Sequence, residues 1–192
     1  MKHELWKSKV YSYFREQIED RTLCERLAAL SSFWEVKNGT CILEEGKRSD
    51  YICLIVSGMV RGFYIDEAGN DVTKCFSGEG DWCCSYSFLS TEPSPFYIIA
   101  IEDSVLARFD IGKSNRLMEE FPIMREKIDW ILSRTLMQSE RRILSFTMME
   151  AKERYQCFLR EQPEIAKRAK QEYIASYLGV TPSSLSRIKR SL

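Results

Sequence analysis

Between residues 36 and 110 the sequence breaks into short β-rich runs, each stopped by glycine or an acidic turn: CILEE-G, YICLIVSG, MVRGFYID-EAGN, DVTKCFSGEGD, FYIIAIED and SVLARFD. Strands this short and this regularly spaced imply an antiparallel barrel or roll. Asp66-Glu67-Ala68-Gly69-Asn70 is a hairpin loop, since Gly and Asn both tolerate positive φ. Both flanks have a different period. Leu5, Trp6, Val10, Tyr13, Phe14, Ile18, Leu23, Leu27 and Leu30 recur at helical spacing over residues 5–34, which predicts two short helices.

After Ile111 the helical period returns. Asn115 to Phe121 predicts a short helix, and Pro122 suits the first position of the next. From Ile123 to about Phe146 runs a long helix with Met124, Ile128, Ile131, Leu132, Thr135, Leu136, Ile143 and Phe146 in a stripe. A helix of that length either packs on its own domain or pairs with its twin in a second subunit. Gln138, Arg141 and Arg142 interrupt the seam, so periodicity alone leaves both readings open. The segment MEAKERYQCFLREQPEI predicts a helix ending near Gln162-Pro163.

The segment YIASYLGVTPSSLSRIKR predicts helix, turn, helix. Ile174, Ala175 and Leu178 give the first helix a buried side, and Gly179 ends it. Thr181 is a preferred N-cap, and Pro182 falls at N1, where a missing N–H costs nothing. Leu185 and Ile188 face inward, leaving Ser183, Ser184, Ser186, Arg187, Lys189 and Arg190 to face out. That pattern is a helix-turn-helix, whose second helix presents its N-terminal residues to the DNA major groove. Arg187 is the candidate for paired bonds to guanine O6 and N7. Thr181 and Ser183 position the helix start, and Lys170, Gln171, Lys189 and Arg190 suit phosphate. Two blander readings are a helical hairpin with a solvated basic face, and a ligand-binding module whose terminal helices contact a protein partner.

Charge supports the nucleic-acid reading. The chain balances 28 Lys and Arg against 28 Asp and Glu, but from Lys152 onward there are nine basic and four acidic residues. A polyanion therefore belongs to the C-terminal part. No run approaches 18 uncharged apolar residues, and MKHELWKSKVYSYFREQIED has no apolar signal-peptide core, so a cytoplasmic, non-membrane protein is expected. In that compartment Cys24, Cys41, Cys53, Cys75, Cys83, Cys84 and Cys157 read as free thiols. None forms a CxxC pair, which argues against an iron–sulfur cluster. The adjacent Cys83 and Cys84 suit redox or soft-metal sensing, but buried structural cysteine is the commoner meaning of such a pair. With His3 as the sole histidine and no phosphate loop, neither an enzyme nor a metal site is expected.

The chain resembles the Crp/Fnr family of bacterial transcription regulators over nearly its whole length. KNGTCILEEGKRSDYICLIVSGMVRGFYIDEAGNDVTKCFSGEGDW is similar to the family's cyclic-nucleotide-binding roll, with glycines 39, 46, 58, 69 and 80 at turns, and YIASYLGVTPSSLSRIKR to its DNA-binding helices. The resemblance implies an α+β fold: N-terminal helices and an antiparallel β-roll (a jelly roll) in an effector domain over residues 1–121, a dimerisation helix over 122–147, and a helix-turn-helix domain over 148–192. It implies a homodimer through Met124, Ile128, Ile131, Leu132 and Thr135, a roughly palindromic site on double-stranded DNA, and contact with RNA polymerase.

Two departures qualify it. Cyclic-AMP-responsive members carry Gly-Glu after the Gly-Asp-aromatic turn, where this chain has Cys84-Ser85, and Arg-Ser farther on, where it has Ser94-Pro95. A cyclic phosphate would lose its charge-assisted partner, so cyclic AMP is not the expected effector. Trp82, Cys84, Ser85, Tyr86, Ser87, Phe88, Ser94, Phe96 and Tyr97 are the candidate lining for an unidentified small-molecule effector; no cofactor is expected. Members usually add a β-hairpin wing after the helix pair, and none is clear before Leu192, which predicts fewer backbone contacts to phosphate.

Overall fold

The structure is a computed structural model that describes residues 2–84, 86–90 and 92–192. Helices α1 (Lys2–Arg15) and α2 (Arg21–Leu30) lead into eight strands: β1 (Ser32–Val36), β2 (Cys41–Leu43), β3 (Tyr51–Ser57), β4 (Val60–Ile65), β5 (Asp71–Ser77), β6 (Trp82–Cys83), β7 (Tyr97–Ala100) and β8 (Ser104–Asp110). The short helix α3 (Tyr86–Leu89) interrupts the strands, and α4 (Ile111–Glu120), α5 (Ile123–Met148), α6 (Ala151–Glu161), α7 (Pro163–Arg168), α8 (Gln171–Leu178) and α9 (Pro182–Arg190) follow them. The strands form two antiparallel four-stranded sheets, ordered β1-β8-β3-β6 and β2-β7-β4-β5.

Alternation along β3 shows how the layers stack. Cys53 and Ile55 point between the sheets, where they meet Val36, Val60, Ile98, Ala100 and Leu106. Leu54 and Val56 point the other way, onto α1 and α2 through Val10, Phe14, Leu23 and Leu27. A strand buried on both faces reads as a continuous apolar run, which is why ICLIV shows no polar alternation. The outer side of the second sheet carries a third core. Met59 and Phe76 pack there with Tyr155, Phe158, Ile174, Leu178 and Leu185 of the C-terminal helices.

Most expected elements are present, with local corrections. The helical spacing over residues 5–34 runs too far: Ser32–Val36 is a strand, paired along its length with β8. Trp34 there lies half-buried beside the inter-sheet core. The short helix starts earlier than Asn115, because Asp110 caps it by accepting from the Lys113 N–H at 2.8 Å. Pro163 opens the further helix α7 after α6. The β4–β5 hairpin turns as read, with Asp66 Oδ1 accepting from the Ala68 and Asn70 N–H groups and Gly69 at φ 82.

Helix α5 is fastened to its own chain at one point. Arg142, read as a break in an apolar seam, faces its own subunit. Its guanidinium donates to the carbonyls of Lys74 (2.6 Å), Thr73 (3.0 Å) and Tyr177 (3.2 Å), fastening α5 to β5 and to the end of α8. Met124 packs on the N-terminal core, and Ile128, Ile131 and Leu132 are half-buried, while Thr135 is exposed and bonds its own helix at the Ile131 carbonyl. The large apolar side chains left exposed on it are Ile123, Trp130, Leu136, Met137, Ile143, Leu144, Phe146 and Met148, and no residue of α5 is fully buried.

Candidate nucleic-acid interface and sensor core

Helices α8 and α9 meet at a sharp turn. Gly179 closes α8 in the left-handed conformation, φ 68, and its N–H reaches the carbonyls of Ala175 and Ser176. A Cβ here would also lie 2.7 Å from the Phe146 ring, so glycine is required twice over. Thr181 then caps α9, its Oγ1 accepting from the Ser184 N–H at 3.2 Å. Leu185 is buried and Ile188 half-buried against α8, which fixes the roll of α9 about its axis.

That roll turns the other side outward. Thr181, Pro182, Ser183, Ser186, Arg187, Lys189 and Arg190 are exposed, Ser184 is half-buried, and Lys170 and Gln171 are exposed at the start of α8. The surface is internally braced: Arg187 donates to Ser184 Oγ at 3.3 Å, and Lys189 Nζ to Gln171 Oε1 at 2.8 Å. No acidic residue occurs in α9, and the N-terminal dipole of the helix adds to the positive field. Chemically this is a convex ridge of hydroxyls, guanidinium and ammonium groups, fit for phosphate oxygens and base edges.

The head carrying this ridge is docked on the roll. Ser176 Oγ accepts from the Thr73 N–H at 2.8 Å. Arg168 clamps two carboxylates of the roll, bonding Glu79 through both terminal nitrogens at 2.9 Å and also Glu102. Glu79 Oε1 accepts in addition from the Gly58 N–H at 2.8 Å. The Arg168 guanidinium beside it holds the Glu79 carboxyl at about 2, against an ordinary value of 4.5. A depressed carboxyl stabilises docking above its ordinary pKa and loses that contribution as pH falls toward the depressed value. Hydrogen exchange of the α8 amides should therefore hold steady down to about pH 4.5 and rise between there and pH 2, and Arg168→Ala should abolish that acid step.

The predicted effector lining is scattered. Trp82 turns to the N-terminal helices, with Nε1 donating to Tyr13 Oη at 2.8 Å. Tyr97 stacks on Phe63, centroids 5.2 Å apart, while its neighbour Ile98 faces between the sheets; Tyr97 is therefore on the outer face. Ser94 is buried with its Oγ bonded to the Phe96 carbonyl at 2.8 Å, and Ser87 Oγ accepts from the Ser49 N–H at 2.8 Å, so both hold loops. Cys84, Phe96 and, half-buried, Tyr86 do reach the space between the sheets. Phe88 lines a cleft of about 1680 Å³ alongside α5, as do Cys84 and Phe96. Ser85 lies outside the described residues.

Sequence reasoning missed Cys53, which the β3–β6 register sets directly opposite Cys83. The three Sγ atoms of Cys53, Cys83 and Cys84 lie within 4.8 Å of one another. Only the strand pairing reveals this, since the two cysteines stand far apart in the chain.

Comparison with known proteins agrees with this architecture. Residues 33–121 match the family model of the cyclic nucleotide-binding domain. A sequence search of curated proteins finds no match. Among solved structures, the chain is similar to FixK2 from Bradyrhizobium japonicum, at 20% identity over 84% of each chain and a TM-score of 0.75. It is also similar to the c-di-GMP responsive global regulator CLP from Xanthomonas campestris, at 14% identity over 90% of this chain and 91% of that one, with a TM-score of 0.71. A CRP/FNR family transcriptional regulator from Thermus thermophilus matches at 19% identity over 84% of this chain and 85% of that one, with a TM-score of 0.65. Residues 33–121 are thus similar to a cyclic nucleotide-binding domain, and the chain shares the fold of solved Crp/Fnr transcription regulators.

Proposed function

We propose that the protein is a cytoplasmic DNA-binding transcription regulator that works as a homodimer. Two α9 helices would enter successive major grooves of a roughly palindromic site, and the roll would carry the signal that sets their orientation. The observation that supports this best is the free face of α9, with Ser183, Ser186, Arg187, Lys189 and Arg190 exposed while Leu185 anchors the helix from behind. Contact with RNA polymerase belongs to the same reading and rests on resemblance alone.

The mechanism follows from how the head is held. Arg168, Ser176 and Arg142 tie it to the roll and to α5 through polar contacts that a small shift at β5 would break or re-form. A ligand that prefers one arrangement biases that equilibrium by its difference in affinity for the two. Cyclic AMP is not the ligand in this reading: Ser94, at the place of the phosphate-binding arginine, is committed to the Phe96 carbonyl.

Selection of bound sites from a random duplex pool, followed by gel shifts, tests the proposal. Arg187→Ala should weaken the selected site by about 1–3 kcal/mol and relax preference at one base pair. Arg190→Ala, which removes a phosphate contact, should weaken all sequences alike. Affinity should also fall steeply with salt, which a protein-partner surface would not show. An Arg187→Ala protein with undiminished affinity and preference would overturn α9 as the reader.

A further inference from the structure

Cys53, Cys83 and Cys84 are all buried in the core between the sheets, at 2%, 5% and 3% exposure. Cys53 and Cys83 face each other across β3 and β6, so their side chains leave the sheet on the same side. Cys84 would normally point the opposite way, because successive residues of a strand alternate. It does not, because its φ is 60, the one positive φ of a non-glycine residue among the described residues. A side chain in that region is strained by about 1–2 kcal/mol, and such strain gathers where a site needs it. Here it folds the third sulfur back toward the other two.

The surroundings complete the case. Arg108, opposite Cys53 in the β3–β8 register, lies half-buried with its guanidinium 4.9 Å from the centroid of Tyr51 and 5.7 Å from that of Trp34. Its Nε is buried and has no hydrogen-bond partner among the described residues. Hydrogen bonds from Cys83 and Cys84 and the Arg108 charge draw the Cys53 thiol below its ordinary value, while Cys83 and Cys84 are pushed up by their bonds to Cys53. The Arg108 guanidinium thus stands as a cation beside the three sulfurs. Cys83 and Cys84 also line the cleft beside α5.

We infer that Cys53, Cys83 and Cys84 form a three-sulfur binding site for a soft, thiophilic metal ion of low coordination number, the class to which monovalent copper belongs. The donor set selects for softness, since thiolates favour such ions and no imidazole or carboxylate among the described residues joins the group. Metal–sulfur bonds of about 2.3 Å in a plane put the sulfurs roughly 4 Å apart, and the present cluster, with its sulfurs within 4.8 Å of one another, already has that scale. Binding the ion deprotonates the thiols that ligate it. Arg108 balances part of the negative charge of the trithiolate complex. The inference deepens the proposed function, because the triad sits in the sensing roll; as an effector site it rests on that reading, but as a binding site it does not.

Anaerobic titration of the reduced full-length chain with Cu(I), in competition with a chromogenic Cu(I) chelator, is the test. One ion per chain should be held with sulfur-to-copper charge-transfer absorption and release of protons. Cys84→Gly is the sharpest variant, because glycine accepts φ 60 without strain and removes only the sulfur-bearing side chain. It should fold at least as stably and bind on the order of 100-fold more weakly or worse, since even loss of a supporting partner costs a metal site up to that much. Cys75→Ser/Cys157→Ser, which alters two partly exposed thiols elsewhere, should bind as the parent does. Parent-like binding by Cys84→Gly, or loss of binding in the double variant, would overturn the site. Gel shifts on metal-free protein separate the two claims: copper binding without DNA binding sinks the regulator and leaves the site, and the reverse sinks the site alone.

Discussion

The triple variant Trp130→Glu/Met137→Glu/Leu144→Glu is expected to sediment as a monomer and to bind the selected DNA site at least about 100-fold more weakly. Helix α5 spans 26 residues and has none fully buried, an unusual state for a helix of about 39 Å in a folded protein. Trp130, Met137 and Leu144 are 56%, 55% and 56% exposed and recur every seven residues, the repeat that keeps a seam facing a partner helix. Leu136 and Ile143 flank that seam at the same interval. Covering each such side chain is worth roughly 1.5–3 kcal/mol, and two copies of α5 would cover each other. Glutamate at three seam positions puts six carboxylates into a two-fold interface. The DNA effect follows from linkage: two joined heads exceed one by a factor of about 10²–10⁴. Helix content by circular dichroism should stay near parental, since none of the three supports the chain's own core. A variant that remains dimeric would move the interface off this face.

The expected stripe along α5, centred on Met124, Ile128, Ile131, Leu132 and Thr135, mixes two faces. Met124, Ile128, Ile131 and Leu132 lean toward the chain's own body, where Arg142 continues that side by bonding β5 and α8, while Leu136, Ile143 and Phe146 of the same stripe are exposed. The heptad at Trp130, Met137 and Leu144 was present in the sequence, but a 3.6-residue reading passes over a strict seven-residue repeat when the intervening positions are also apolar. The strands were legible for a simpler reason. Glycine turns and β-branched or aromatic runs coincide there, and each points to the same structure. Ser32–Val36 was not, because Leu30, Phe33 and Trp34 keep a helical spacing until pairing with β8 overrides it.

The ridge of α9 was legible because it is local. Gly179, Thr181, Pro182 and Leu185 lie close together in the chain, and caps, turn and buried face can be read in order. The core between the sheets was not, because its geometry depends on partners far apart in the chain. Trp82 and Tyr97 alternate away from the space between the sheets, and only strand register decides which neighbour of a buried residue faces in. The same register brings Cys53 to Cys83, a pairing without any trace in the spacing of cysteines.

The largest stability effect should come from Asp71→Ala. Arg61 has no exposed side-chain surface, and its Nη2 lies 2.7 Å from Asp71 Oδ2. The guanidinium is stacked 4.5 Å from the Phe63 ring centroid and 3.9 Å from that of Tyr173, so it joins the roll to α8. Good hydrogen-bond geometry is lacking at Nε, Nη1 and Nη2 among the described residues, which leaves the Asp71 charge as the main compensation. Removing one partner of a buried pair strands the other and costs about 3–5 kcal/mol; because the Asp71 side chain is 44% exposed, the lower end applies. At roughly 2–4 °C per kcal/mol for a chain of this size, the midpoint by calorimetry should fall by about 6–12 °C. Replacing the charge itself should cost far less, since a buried pair exchanged for apolar side chains is often neutral. Arg61→Met/Asp71→Ala should therefore recover most of the loss caused by Asp71→Ala alone. If the double variant is as unstable as the sum of its parts, Arg61 is held by its aromatic stack and the Asp71 pairing contributes nothing to docking the head.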